Sequence, residues 1–297
     1  MGLGDVKARI VRSDGEEITI GDGEWRIPKN GLENWANLPY TVTSSEIPSA
    51  DGAIITSKRV SSVDRTITAE ARGSNPDELR AQAIRFFNPK YTYTVHLTYR
   101  GRTRWCEGEQ IGFKASEGNM YERPTITWTI LCANPYLQSE DDFGNDIAEV
   151  EPRFGFPWVS FLPTEYGSID GVNKWAIASV HVFSQSIEIV NDGDVSSGMR
   201  VKLLALGDAV NPSIRIGDGY VRLITKLKYG DEIILDTINR PPTVYMNGKN
   251  VMNLVDRKSS ILNMKIDVGQ TTLEYDADDG YQNLSVSVYW YKQYLGV

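Results

Sequence analysis

The segment Tyr91–Tyr99 (YTYTVHLTY) alternates without a break, and that alternation constrains the fold more than any other feature of the chain. Tyr91, Tyr93, Val95, Leu97 and Tyr99 share one face, while Thr92, Thr94, His96 and Thr98 share the other. A period of two is the signature of a half-buried strand. Arg100-Gly101 offers a turn and Thr103–Glu107 a return, which predicts a long hairpin over 91–107. Val63–Arg72 and Thr125–Cys132 alternate in the same way; in the latter Ile126, Trp128, Ile130 and Cys132 take one side.

One helix interrupts the strands. In GSNPDELRAQAIRFFNP, Asn75 is placed as N-cap, Pro76 as first helical residue and Glu78 as the partner of a capping box. Leu79, Ala83, Phe86 and Phe87 form one apolar stripe. Asn88-Pro89 ends the pattern, which predicts a helix over 76–87. From about 174 onward the chain reads as short strands with frequent turn signals. They fall near 174–183, 186–190, 199–206, 213–216, 220–227, 231–236, 243–251 and 284–291, with Asn247-Gly248 as a two-residue hairpin turn. The two IGDG runs, Ile20–Gly23 and Ile216–Gly219, are turns. The fold class is all-β with one short helix near 76–87, in two domains. Residues 1–135 are expected to form a β-sandwich with helix and hairpin, 136–165 a Pro/aromatic linker, and 166–297 a second antiparallel sandwich.

Charge excludes one large class of function. Residues 1–135 carry 17 acids and 17 bases, so the net charge of −8 lies wholly in the second half. Six acids and no base fall in EDDFGNDIAEVE (140–151). No basic stripe exists for a nucleic-acid backbone. No run approaches the roughly 18 apolar residues of a membrane-spanning helix, and the start of the sequence lacks the apolar core of a signal peptide.

The search for chemistry returns little. His96 and His181 are the only histidines, and no G-x-S-x-G elbow, Walker loop or GxGxxG occurs. Asp141, Asp142, Asn145, Asp146 and Glu149 gather acid groups, but their spacing does not match an EF-hand and reads as a solvated run. Cys106 and Cys132 are the only cysteines, read either as core thiols or as a cross-strand disulfide. No catalytic, cofactor or metal site is expected, and the chain is not expected to be an enzyme; a two-carboxylate glycosidase is the residual enzymatic alternative. A carbohydrate-binding module acting in host cell-wall adhesion is the main rival. Trp158 and Trp175 are its stacking candidates, whereas Trp290 sits in an alternating strand that assigns it to a core.

Several blocks carry a family resemblance. LRAQAIRFFNPKYTYTVHLTYRGRTRWCEGEQIGF resembles the N-terminal domain of siphophage distal tail proteins, in which a helix stops at an Asn-Pro-like signal and feeds a long hairpin. PTITWTILCANPYL resembles that domain's last strand and its exit, here Asn134, Pro135 and Tyr136. FGFPWVSFLP fits the linker, and YGDEIILDTINRPPTVYMNGKNVMNLVD and TTLEYDADDGYQNLSVSVYWYKQYLGV fit the second domain. The likeness spans most of 60–297. Asp267–Gln270 departs from a Pro-Gly-x-Asn-like turn, and the chain lacks the galectin-type His-x-Asn-x-Arg run although the family's second domain looks galectin-like.

The resemblance implies an architectural role, with copies of the first domain forming a homohexameric ring. The expected partners are the tail tube protein on one face and a tail-tip, tail-associated lysin or receptor-binding protein on the other. No nucleic acid, membrane insertion or cofactor is expected. The expected location is the distal tail of the virion, after assembly in the host cytoplasm. Thr94, Val95, Leu97 and Tyr99 are the ring-contact candidates, on the argument that hairpins pairing edge to edge can close a ring.

Overall fold

The computed structural model describes residues 6–47, 51–116, 122–140, 143–146, 148–152, 179–183, 186–238 and 241–297. The chain divides into two compact units. The first takes Met1–Asp142, Gly193–Val195 and Tyr291–Val297; the second takes Phe143–Asp192 and Ser196–Trp290.

The first unit is built on an antiparallel sheet whose main path runs Glu17–Ile20, Val6–Arg12, Thr92–Tyr99, Arg102–Ala115, Thr125–Cys132, Val63–Ala71 and Trp25–Arg26. The alternation predicted from the sequence is realised residue by residue. Tyr93, Val95 and Leu97 are buried, as are Ile126, Trp128, Ile130 and Cys132, while the residues between them are partly exposed. Thr92–Tyr99 and Arg102–Ala115 are joined by Arg100 and Gly101, both at positive φ (49° and 80°), with Tyr99 opposite Arg102. Two positive-φ residues in a two-residue loop match the right-handed twist of the flanking strands. The return strand is longer than expected, reaching Ala115.

The helix, Pro76–Phe86, lays Leu79, Ala83 and Phe86 against this sheet. Its start differs from expectation. Leu79 N–H donates to the Asn75 carbonyl at 3.3 Å, but the Asn75 side chain makes no capping bond. Pro76 removes one orphan donor, and Asp77 and Glu78 place negative charge at the positive end of the helix. The other end is fastened more elaborately. Phe87 N–H donates to Ala83 O at 2.9 Å. Arg12 Nη1 donates to Phe86 O at 3.1 Å, and Tyr93 Oη donates to Phe86 O at 3.0 Å and to Asn88 O at 2.8 Å. The guanidinium of Arg12 also lies 4.5 Å from the Tyr91 ring centre. A cation at the carbonyl end of a helix is favourable. This one is held there by stacking as well.

Beneath the helix, Phe87 packs against Trp128 (4.8 Å between ring centres), Phe113 (5.2 Å) and Phe86 (5.1 Å), and Tyr93 meets Trp128 at 5.2 Å. Trp128 Nε1 donates to Gln110 Oε1 at 3.1 Å, which satisfies the indole's one polar group in the interior.

The last residues of the sequence complete the first unit. Gln293–Tyr294 pairs with Leu137–Gln138. The Arg104 guanidinium lies 3.6 Å from the Tyr294 ring centre and donates to the Gly296 carbonyl. Asp194 binds the same segment, its N–H donating to Gln293 O at 2.8 Å and its Oδ2 accepting from Leu295 N–H at 3.0 Å.

In the second unit, one sheet runs Phe143–Asp146, Leu284–Trp290, Met199–Ala205, Glu232–Asp236, Thr243–Met246 and Lys249–Asn250. Another runs Ser186–Asn191, Gly269–Asp276, Ser213–Ile216 and Gly219–Arg222. Val201, Leu203, Leu235, Val286, Val288 and Trp290 from the first, with Ile189, Ile214, Leu273 and Tyr275 from the second, form one buried cluster. Trp290 is therefore a core residue, as its alternation predicted. Asn247-Gly248 forms the expected turn, with φ of 49° and 76° and Met246 opposite Lys249. The expected strand over 220–227 is split into Gly219–Arg222 and Lys226–Leu227. Gly269–Asp276, an interior strand of its sheet, was not anticipated. Of the stretch expected as linker, Leu137–Ser139 is a strand of the first unit, and Phe143–Asp146 and Ala148–Pro152 are strands of the second. Residues 153–178 lie outside the described residues.

Trp128→Ala is expected to cost about 3–5 kcal/mol, because the fully buried indole is surrounded by rings on several sides. Urea unfolding followed by a probe in the first unit measures this; a cost below about 1 kcal/mol would show that the aromatic cluster is not the unit's centre of packing.

Candidate functional site

The most unusual surface in the described residues belongs to a hairpin that the sequence reading passed over. Tyr40–Glu46 pairs with Ala53–Val60 and, among the described residues, with no other strand. The register sets Tyr40 opposite Val60, Val42 opposite Lys58, Ser44 opposite Ile55 and Glu46 opposite Ala53. Opposed residues share a face, so Tyr40, Val42, Ala53, Ile55 and Val60 line one side together with Ser44, Glu46 and Lys58. Thr41, Thr43, Ser45, Ser57 and Arg59 fall on the other, together with Ile54. The large apolar side chains on this side are open to solvent: Tyr40 is 69% exposed and Val42 and Ile55 are each 54% exposed. A two-stranded hairpin is marginal in water by itself, and several large apolar side chains left exposed together on one element are the kind of feature that marks an interaction surface. The signal for it was present in the sequence, as Asp51-Gly52 between two alternating runs; Gly52 takes φ of 108°.

The four residues proposed from the sequence as ring contacts occupy a different setting. Val95 and Leu97 are fully buried in the first core, and Thr94 and Tyr99 are partly exposed. Their strand is paired along both edges, to Val6–Arg12 and to Arg102–Ala115. Neither edge is free to pair with another chain, so the edge-to-edge argument does not apply to this strand.

His96 stands on the outward face of the same strand, opposite Arg9 and Trp105 in the ladder, with Nδ1 3.3 Å from Glu140 Oε1. Burial, then the charge of Arg9, hold its pKa below the ordinary histidine value, and Glu140 acts in the opposite sense. His96 is thus a neutral structural side chain near neutral pH. No side-chain description reaches His181, Trp158, Trp175 or the acidic group Asp141, Asp142, Asn145, Asp146 and Glu149, whose side chains lie outside the described residues. Among the described residues, no three His, Cys, Asp or Glu side chains gather where they could hold a metal ion. No helix of the described residues is long and apolar enough to cross a membrane.

Cys106 and Cys132 are free thiols, both buried in the first core. Of the two readings left open by the sequence, the core thiols are the state seen.

These observations define a class: an all-β protein of two units with an exposed two-stranded hairpin in the first. Comparison with known proteins adds to this. Residues 192–294 match the family model described as siphovirus-type tail component, C-terminal domain. Among curated proteins no sequence match is found. Among solved structures, the SPP1 Dit (gp 19.1) protein, described as a paradigm of hub adsorption apparatus in Gram-positive infecting phages, is similar with a TM-score of 0.59 at 12% identity. That match covers 95% of this chain and 98% of the other. A chain from the phage p2 baseplate in its activated conformation with Sr is similar with a TM-score of 0.53, again at 12% identity, covering 98% of this chain and 99% of the other. The match of residues 192–294 is thus to a tail-component domain. The fold is shared over nearly the whole chain, and the resemblance to siphovirus distal tail proteins drawn from the sequence is borne out.

His96 generates a pH dependence with a defined sign. Its folded pKa is depressed, so the unfolded chain takes up the proton first, and folding stability falls as the pH drops below about 6.5. His96→Gln is expected to lose less stability than the wild type when urea unfolding is compared at about pH 7 and about pH 5.5. Equal losses would show that the imidazole makes no contribution.

Proposed function

We propose that the protein is a structural hub of a bacteriophage tail tip or baseplate, in which six copies form a ring joining the tail tube to the host-recognition apparatus. It works by presenting surfaces and carries no catalytic step. The first unit is the ring-forming part, and the second, a galectin-like sandwich, projects from it. The partners are further copies of itself, the tail tube protein, and a tail-tip, lysin or receptor-binding protein, at the distal end of the virion tail.

The observation that carries this reading is the apolar face of the Tyr40–Val60 hairpin. It is an exposed, strand-edged surface in a family of tail components, and a second copy of the chain is the occupant proposed for it. Free strand edges are liabilities unless another chain or element covers them, and a head-to-tail contact that repeats around an axis closes into a ring. The ring contact is accordingly assigned to Tyr40, Val42 and Ile55. Of the residues expected from the sequence, Thr94 and Tyr99 keep enough exposure to contribute at a rim.

Light scattering on the purified protein tests the reading. Six copies of 33.2 kDa give about 199 kDa. The double variant Val42→Glu/Ile55→Glu is expected to run as a 33.2 kDa monomer with an unchanged unfolding curve, because neither side chain belongs to a core. A variant that assembles as the wild type does would reject the hairpin as the contact, and a wild-type protein that stays monomeric at high concentration would reject the self-assembling ring.

A further inference from the structure

The outward face of the sheet in the first unit is uneven in charge. Residues opposed across a ladder share a face, so the registers order this face in rows. One row holds Glu17, Val11, Thr94 and Glu107. The next holds Thr92, Glu109, Leu131 and Asp64. A third holds Gly112, Thr129, Thr66 and Glu33. Their neighbours along the strands, among them Ile10, Val95, Cys106, Ile130 and Cys132, are buried in the first core, so these residues face away from it. The rows carry acids and no base. Arg9, from the row beyond, reaches Glu17 at 3.6 Å. Glu107, Glu109, Asp64 and Glu33 are exposed and, among the described residues, take part in no ion pair.

Apolar side chains stand among these acids. Leu131 and Val11 are partly exposed. Ile111 sits where the ladder between Arg102–Ala115 and Thr125–Cys132 slips: Gly112 faces Thr129 and Gln110 faces Ile130, which leaves Ile111 without an opposite residue and 53% exposed. A bulge of this kind re-aims a side chain. The Tyr40–Val60 hairpin has the complementary character. On the face of Tyr40, Val42 and Ile55 it carries Lys58, directly opposite Val42. Lys58 is exposed and, among the described residues, takes part in no ion pair. The hairpin's acids, Glu46 and Asp51, lie towards its turn, away from Lys58.

We propose that the hairpin of one copy docks on the acidic sheet face of the next, with Tyr40, Val42 and Ile55 against Leu131 and Ile111, and Lys58 over Leu131 between Glu109 and Asp64. The inference rests on the ring reading and names the surface that receives the hairpin. Glu109 and Asp64 flank Leu131 from the two adjacent strands, about 10 Å apart at two strand spacings. A lysine lays its apolar stem on a leucine and keeps its ammonium at the polar rim, so one side chain satisfies both kinds of contact. Charge sets the register: an apolar hairpin face alone can slide along a sheet, whereas a lysine that has to meet Glu109 and Asp64 fixes one position. The two docking surfaces differ, which makes the contact head to tail, and a contact of that kind repeats around an axis until it closes.

The test uses the full chain, assembled from a mixture of light- and heavy-nitrogen protein, and a carbodiimide that joins a lysine directly to a carboxylate in contact with it. Peptide masses then separate links between copies from links within one. The expected product joins Lys58 of one copy to Glu109 or Asp64 of another. Charge exchange gives a second readout by light scattering. Lys58→Glu and Glu109→Lys are each expected to weaken assembly by about tenfold or more, and the two together are expected to restore it, with unfolding curves unchanged because both side chains are exposed. An assembled wild type in which Lys58 joins only other acids, or none, would overturn this contact and leave the ring reading standing. So would a combined variant that assembles no better than either single one. A wild type that stays monomeric would overturn both.

Discussion

Backbone hydrogen-bonding groups must be paired when they leave water, and the first unit is organised by where that pairing can be completed. Each of its longer sheet strands finds a partner on both sides: Thr92–Tyr99 between Val6–Arg12 and Arg102–Ala115, Thr125–Cys132 between Arg102–Ala115 and Val63–Ala71. The helix fills the remaining apolar surface, and its carbonyl end is closed by Arg12 and Tyr93. The Tyr40–Val60 hairpin is left with two outer edges and an apolar face that no described strand covers. The proposed assembly surface rests on that imbalance, because a hairpin of this kind has little reason to hold its shape alone.

The path of the chain reinforces the same organisation. The second unit is inserted between residues of the first, and the sequence returns through Tyr291–Val297 to pair with Leu137–Gln138. Arg104 grips this return from a position far away in sequence, stacking on Tyr294 and binding the Gly296 carbonyl. Trp105 adds a hydrogen bond to Ser139 at 2.7 Å and packs edge-on to Tyr291. The hairpin strand that supplies Val95 and Leu97 to the core thus continues, after its turn, into residues that hold Ser139, Tyr291, Tyr294 and Gly296, all of the first unit.

The sequence made the half-buried strands legible because each faces its own core on one side only. Thr125–Cys132 and Tyr91–Tyr99 show the period of two without interruption, and the stripe Leu79, Ala83, Phe86 gives the helix. Gly269–Asp276 escaped because only Leu273 and Tyr275 face inward, and GQTT before them reads as polar loop. The Tyr40–Val60 hairpin escaped for the opposite reason: its apolar residues serve no core of this chain, so periodicity there did not point to a buried element. The contact residues were assigned to the hairpin at 91–107 because strand character is local and edge character is not. Whether Val95 lies at an edge depends on the order of strands in the sheet, which is set by Val6–Arg12, some eighty residues earlier. The burial of Arg65 was within reach, since the alternation of Val63–Ala71 places it on the face of Val63, Ile67, Ala69 and Ala71.

The central claim is that the Tyr40–Val60 hairpin is covered by a second copy of the chain. Hydrogen–deuterium exchange of the hairpin amides, compared between dilute monomer and concentrated assembly, tests it most directly. The account predicts that the amides of Tyr40–Glu46 and Ala53–Val60 become strongly protected on assembly while those of Thr92–Tyr99 stay protected in both states. Hairpin amides that exchange equally fast in monomer and assembly would contradict it.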